Sequence, residues 1–431
     1  MLNALIRAGV VALMASLYGP YIYRMINVIG LFREPGNTTV EAGNLVPIED
    51  TVHCEDLHYH EKSGLIFTAC EDDAALRYSW FPGLGHLEVA AVTATTRGSI
   101  HIINTKTLKS QRLEFENFDG PFVTHGIDIL PDPNDENILF IYAVNHIPNQ
   151  DYLNHLKARQ EDGTAASADI TKIGSRLEVF RHVLGSSSVQ HLRSIEHPFI
   201  KTPNDIIART TTSLYVTNDH YYTHGNMRLL EDLYYGATWS DTIHIEIGDL
   251  TSKDAKADID AKVVLTGLHN NNGLARGASP NEIVIGSALS GDLHIAQVLE
   301  ATQELKVLET VSLDAAVDNP SYFKDPYNTV GYDASGYFTA GLSVAHKLPK
   351  TIHDPTGKIP VMIWHVLPKT EGDKQTWEKR LVFEDDGSRL SSASSAVLVA
   401  IDPELEGGKK RGWLFMTGFI STSVIVVKID L

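Results

Sequence analysis

The feature that most constrains this chain is a succession of short apolar or alternating runs from residue 50 to the end. Among them are GLIFTAC (64–70), GSIHIINT (98–105), NILFIYAV (137–144), RLEVFRHV (176–183), SLYVTND (213–219), TIHIEI (242–247), EIVIGSAL (282–289), VMIWHVL (361–367) and GWLFMTGF (412–419). Gly, Asp, Asn and Pro turns bound them, which is the pattern of strands. Parallel sheets need helical crossovers, and the segments between these runs are mostly polar turns, so an antiparallel all-β architecture is expected. The length of 431 residues allows one large repeat-built unit, because such folds outgrow the average domain.

A looser recurrence chooses among sandwich, barrel and propeller. HCEDL (53–57), THGID (124–128), PNDII (203–207), NNNGL (270–274), VDNPS (317–321) and SASSA (392–396) each place small, polar or acidic residues at the start of an apolar strand. Taken singly, these are ordinary turn residues. As a set of six at irregular intervals of roughly one enlarged blade, they point to a β-propeller, in which they would begin the innermost strands beside a central channel.

Three of these segments contain adjacent polar doublets, Glu55-Asp56, Asn204-Asp205 and Asp318-Asn319. Successive side chains of a strand point opposite ways, so each doublet can serve two sites, allowing two stacked ions. Carboxylate and carboxamide oxygens suit a hard cation such as calcium. No EF-hand loop is present, so such a site is assembled from distant segments. Net charge is −18, with 54 acidic against 36 basic residues. That excess argues against sequence-independent nucleic-acid binding.

Residues 1–32 form an apolar segment with Arg7 and Arg24 at intervals, broken at Gly19-Pro20. A cleaved signal, a retained signal-anchor and an interfacial helix all stay open, and with them secretion or membrane association. A sequon at Asn37-Thr38-Thr39 would carry glycan only in the secretory pathway. The two cysteines, Cys54 and Cys70, allow at most one bridge and show no zinc spacing, and two reduced, half-buried thiols are expected. His53, His58 and His60 do not all share one strand face. They are expected to form an exposed cluster, not a zinc site. The polar stretch 154–172 is expected to be an exposed loop, and 403–412 a second insertion between the last strands.

In order along the chain, EDL, HGI, VNH, PND, TNDHYY, NNG, VDN and the C-terminal strand pair resemble the serum paraoxonase/arylesterase family from about Asn44 to Leu431. The resemblance implies a six-bladed propeller holding two calcium ions. Glu55, Asn204, Asn272, Asp318 and Asn319 would hold a catalytic ion. Asp56, Asp205 and the backbone carbonyl of Ile127 would hold a structural one. His125 and His146 match the family's histidine pair. The cysteines that tie the chain ends in vertebrate members fall here on Gly43 and Ile429. Ring closure is therefore expected from pairing of the last strand with residues near 45–52.

The function implied is calcium-dependent hydrolysis of lactones or aryl esters, with His125 as base and His146 as relay. A scheme with Glu55 or Asp318 as base stays open, as does the role of TNDHYY, which either lines the mouth or caps a strand. A related gluconolactonase-like or strictosidine-synthase-like enzyme and a non-catalytic calcium-stabilised propeller are the alternatives. GASPN (277–281) is not a nucleophile elbow, and neither a dinucleotide fingerprint nor a P-loop occurs. Insertions at 73–95 and 150–172 are expected to reshape the substrate rim.

Overall fold

The computed structural model describes residues 2–40, 44–162, 170–234, 236–372 and 374–431. Among them the strands fall into consecutive antiparallel meanders. The first comprises Asp56–His60, Leu65–Cys70, Ser99–Asn104 and Lys109–Arg112. The second comprises Thr124–Pro131, Ile138–Asn145, Arg176–Val183 and Ser188–Ile195, with Glu114–Glu116 added in parallel at its edge. The third runs through Pro203–Ala208, Ser213–Asn218, Ser240–Ile247 and Ile259–Leu268, and the fourth through Asn271–Arg276, Glu282–Ser287, Asp292–Leu299 and Glu304–Ser312. The fifth contains Ala316–Phe323, Gly336–Leu342, Val361–Glu371 and Lys374–Asp385; the sixth contains Ala393–Ile401, Arg411–Gly418 and Val424–Asp430. A single bridge, Asn319↔Ser395, joins the fifth and sixth into one eight-stranded sheet.

The first strands of consecutive meanders lie side by side, and that of the sixth returns beside that of the first. The arrangement is mostly β and propeller-like. Leu45–Ile48 pairs antiparallel with Val424–Asp430, from Leu45↔Val427 to Ile48↔Val424, so strand hydrogen bonds join the two ends of this β region.

Packing explains why runs such as NILFIYAV are apolar throughout instead of alternating. Alternate residues of a strand face opposite neighbours: Ile141 packs toward Phe67 and Ile102 of the first meander, while Tyr142 packs toward Ile206 and Val216 of the third. Likewise Ile66 and Ile103 meet Val399 and Phe415 of the sixth, and Phe338 and Ile363 of the fifth meet Leu398 and Val427. Each such side chain, fully buried, contributes roughly 1.5–3 kcal/mol, so the face-to-face contacts are the main cohesive term.

Three expectations are corrected. Cys54 and Cys70 are disulfide-bonded, with Cα atoms 3.9 Å apart. The hairpin of Asp56–His60 with Leu65–Cys70 brings both to one end of the first meander, where both are buried. The stretch 154–172 is not simply a loop, because a helix spans Gln150–Asp162, and 163–169 lie outside the described residues. The histidines near residue 55 are not an exposed cluster either: His53 and His60 are buried and His58 is half-buried.

Helix α1, Leu2–Val28, contains Pro20. Its last turn is seated: Val28 is buried beside Ala316 and Leu342, and Arg24 donates to the Gly291 carbonyl (2.8 Å) and to Asp292 (3.2 Å). Further toward its N-terminus Leu13, Leu17, Tyr21 and Ile22 are exposed. No helix among the described residues is long and apolar enough to cross a membrane.

Candidate active site

All six polar segments singled out in the sequence open the first strand of a meander, so their side chains meet at one end of the channel. The strand ladders are irregular where the doublets lie. Register shifts fall between Pro203 and Ile206, between Asn271 and Leu274, and between Val317 and Pro320. Such bulges release two neighbouring residues from strict alternation and re-aim them. His53, Asn270 and Ser392 hold left-handed backbone just before their strands, with φ of 50°, 59° and 54°, turning the chain into the channel.

Close strand approach does the rest. A Cβ on Gly126 would overlap the Asp205 carboxylate and the Asn204 carbonyl, and one on Gly273 would overlap Asn319. The HGI and NNG motifs thus need glycine because neighbouring inner strands pass against one another there.

Glu55, Asn204, Asn272, Asp318 and Asn319 form the upper tier. The Asn319 amide donates to Glu55 Oε1 at 3.0 Å. Among the described residues, four side-chain oxygens of this tier, Glu55 Oε2, Asn204 Oδ1, Asn272 Oδ1 and Asn319 Oδ1, are buried without a hydrogen-bond partner. Leaving a buried polar atom unpaired costs about 1–3 kcal/mol, so four on one channel mark a place built for a ligand. Burial, then the charges of Asp318, Asp56 and Asp205, pushes the Glu55 carboxyl well above the ordinary carboxylate range. Burial and Asp56 push Asp318 the same way.

Asp56 and Asp205 lie one residue deeper, with Ile127 beside them. Asp56 accepts from Leu57 N (2.8 Å) and Ile127 N (3.4 Å), and Asp205 accepts from Ile206 N (2.7 Å) and Leu274 N (2.6 Å). Burial, then the Asp56 charge, raises the Asp205 carboxyl. Buried acids of like charge with no cation between them strongly disfavour their ionised form. The donor set, carboxylates and carboxamide oxygens with no sulfur, fits a hard divalent cation. Among the described residues no three His, Cys, Asp or Glu side chains form a metal cluster by themselves.

The histidine pair caps the upper tier. His125 Nδ1 lies 3.0 Å from His146 Nε2, and His146 Nδ1 lies 2.8 Å from Ser175 Oγ. His125 Nε2 lies 3.4 Å from the Asn204 amide. Burial, offset in part by Asp219, lowers His125 to about 4. Burial and the neighbouring His125 hold His146 well below the ordinary imidazole value. Burial therefore favours the neutral form of both rings.

The insertion at 73–95 builds the roof. Phe81 meets His125 and His146 edge-on, with ring centroids 4.8 and 5.8 Å apart, and Trp80 Nε1 donates to the His146 carbonyl at 2.8 Å. Buried Arg77 stacks 3.9 Å over Phe81 and donates to the carbonyls of His53 (3.1 Å) and Thr124 (3.4 Å). Arg228, in a helix spanning Asn226–Leu233, donates to the Gly83 carbonyl at 3.0 Å. A small cleft beside His146 is lined by Ser175, Asp219 and Arg228.

The TNDHYY segment does both things left open for it. Asn218 Oδ1 accepts from Lys201 N and Thr202 N, which is capping, while Asp219 reaches the cleft. His220 stands between Asp219 (2.9 Å) and Asp232 (2.6 Å). Sequence reasoning missed Arg77, Phe81, Ser175 and Arg228 altogether, for none lies in a motif with a chemical signature.

Sequence comparison gives the family. The family model described as Arylesterase matches residues 168–400, and the chain belongs to that family. Chicken serum paraoxonase/arylesterase 2 is 28% identical over 225 residues, covering 52% of this chain and 52% of that protein. Rabbit serum paraoxonase/lactonase 3 is 25% identical over 303 residues (69% of this chain, 71% of the relative). Human serum paraoxonase/lactonase 3 is 24% identical over 301 residues (68% and 69%). The match thus spans about half the length of the chicken protein and somewhat over two thirds of the other two.

Proposed function

We propose that this protein is a calcium-dependent hydrolase of lactones or aryl esters, built as a six-bladed propeller with two calcium ions in its channel. The observation that carries this reading is the set of four unpartnered buried oxygens on Glu55, Asn204, Asn272 and Asn319, directly beneath a neutral histidine pair. Glu55, Asn204, Asn272, Asp318 and Asn319 would hold the catalytic ion, and Asp56, Asp205 and the Ile127 carbonyl the structural one. When bound, calcium supplies Lewis acidity toward an ester or lactone carbonyl and favours the oxyanion.

The chain's own groups do the remaining work. His125, neutral and adjacent to Asn204, accepts a proton from the attacking water, and His146 takes up that proton through the 3.0 Å contact. Ser175 fixes the His146 ring from its far side. Phe81 and Trp80 exclude bulk water above the pair. Glu55 and Asp318 are weaker candidates for the base, because both face the cation.

The names of the relatives, which include arylesterase and lactonase, favour hydrolysis over a binding-only propeller. The Cys54–Cys70 bridge favours an oxidising compartment and hence the secretory pathway. There the exposed apolar side chains of α1 would associate with membrane or lipid, and Asn37 would accept a glycan. Hydrolysis of a panel of lactones and phenyl acetate, before and after chelation, tests the catalytic reading. Activity unaffected by calcium removal rejects it. Bound calcium with no hydrolysis across the panel favours the binding propeller.

A further inference from the structure

A second cavity lies at the opposite end of the channel from the histidine pair. It holds about 560 Å³, within the usual size of small-molecule pockets. Its wall is made by the C-terminal parts of four inner strands, at Leu57–Tyr59, Ala275-Arg276, Pro320–Phe323 and Val397–Ala400.

Two basic side chains, Arg276 and Lys324, line this space. Arg276, 44% exposed, pairs both terminal nitrogens with the fully buried Asp128 (2.8 and 2.6 Å) and donates to the Ala208 carbonyl (2.6 Å). Three of the guanidinium's five N–H groups are used in this way, leaving two for a ligand among the described residues. His58 is held by Asp56 (2.8 Å) and Asp128 (3.4 Å), whose side chains are 3% and 0% exposed. Lys324 adds an exposed cation at the rim. In a chain of net charge −18, such a grouping is a local feature and does not follow from overall composition.

Aromatic side chains also contribute to the lining, at Tyr59, Tyr322, Phe323 and Tyr327. Glu61, at the same rim, penalises each further negative charge on an occupant, and a polyanion such as a nucleotide most. An occupant with one negative charge on an apolar body places its carboxylate toward Arg276 and Lys324, away from Glu61, and its ring against the tyrosines.

We propose that this cavity is a second, non-catalytic binding site for an aromatic monocarboxylate. The inference does not depend on the hydrolase reading, since no residue of the histidine pair or of the upper tier lines the cavity.

The test is calorimetric titration of the full chain with 2-naphthoate, beside its neutral amide and 2-naphthylmethylammonium. Saturable one-site binding of naphthoate is expected, with the amide about tenfold weaker and the cation weaker still. Lys324→Glu and Tyr327→Ala, both at exposed positions, should each weaken naphthoate binding about fivefold or more while leaving the melting temperature unchanged. Equal affinity for acid and amide, unchanged binding in both variants, or no saturable binding would each overturn the proposal.

Discussion

His125 and His146 act as one unit: their nitrogens Nδ1 and Nε2 lie 3.0 Å apart, and the outer nitrogen of His146 is taken by Ser175. His125 Nε2 faces the Asn204 end of the channel, 3.4 Å from the Asn204 amide, so of the two rings His125 is the one nearer the upper tier. His125→Gln should lower kcat by about 10²–10⁴-fold, the usual contribution of a general base, with calcium binding retained. Steady-state kinetics together with a calcium-dependent thermal shift separates the two effects. A full loss of the thermal shift would show that His125 supports the ion site instead.

Asp219 and His220 give a pH-dependent contribution to stability. Burial works against the His220 charge, but Asp219 and Asp232 push its imidazole up to about 9. Burial likewise works to raise Asp219, yet His220 and Arg228 hold it well below the carboxylate range. A raised histidine stabilises the fold fully below its unfolded value of about 6.5 and loses that contribution as pH rises through about 9. The full contribution is on the order of 3 kcal/mol. Wild-type melting temperature should therefore fall between pH 7 and 9, and His220→Gln should flatten that slope. An unchanged slope in the variant would locate the titrating group elsewhere.

Much of this was legible in the sequence. The six polar segments open the inner strands because a polar group at a channel needs small or acidic residues just where an apolar strand begins, and that contrast is local. The pairing of Leu45–Ile48 with the last strand was also expected. The Cys54–Cys70 bridge was not. Sixteen residues separate the pair, and only the tight hairpin between them decides whether the sulfurs meet. The burial of His53 was hidden for a related reason: the roof over it comes from residues 74–81, which carry no periodicity long enough to announce a helix. Ser175 and Arg228 act through single contacts, and a lone serine or arginine carries no pattern.

The disulfide takes over a staple's role close to the site, since Cys54 precedes Glu55 directly. Closing a loop of this length removes about 3 kcal/mol of unfolded-state entropy. The Cys54→Ala/Cys70→Ala pair should lower unfolding stability by that order in urea titrations, with calcium affinity falling as Glu55 loses its fixed backbone. Unchanged stability would mean that the strand ladder alone holds this end of the first meander.

The lower tier should govern stability and the upper tier activity. Calcium that binds only the folded chain stabilises it by about 2.7 kcal/mol at one hundred times its dissociation constant. Asp205→Asn should remove most of the calcium-dependent rise in melting temperature. Asn272→Ala should leave most of that rise while lowering hydrolysis. Calorimetric melting with and without calcium checks both, and the reverse pattern would exchange the roles of the two tiers.

The most direct measurement is lactone and phenyl acetate hydrolysis by the purified protein through a cycle of chelation and calcium return. Activity that disappears with chelation and comes back with calcium is the predicted result, because the unpartnered oxygens of Glu55, Asn204, Asn272 and Asn319 would then have regained their cation. Hydrolysis that persists at full rate in protein shown to be free of calcium would contradict the account.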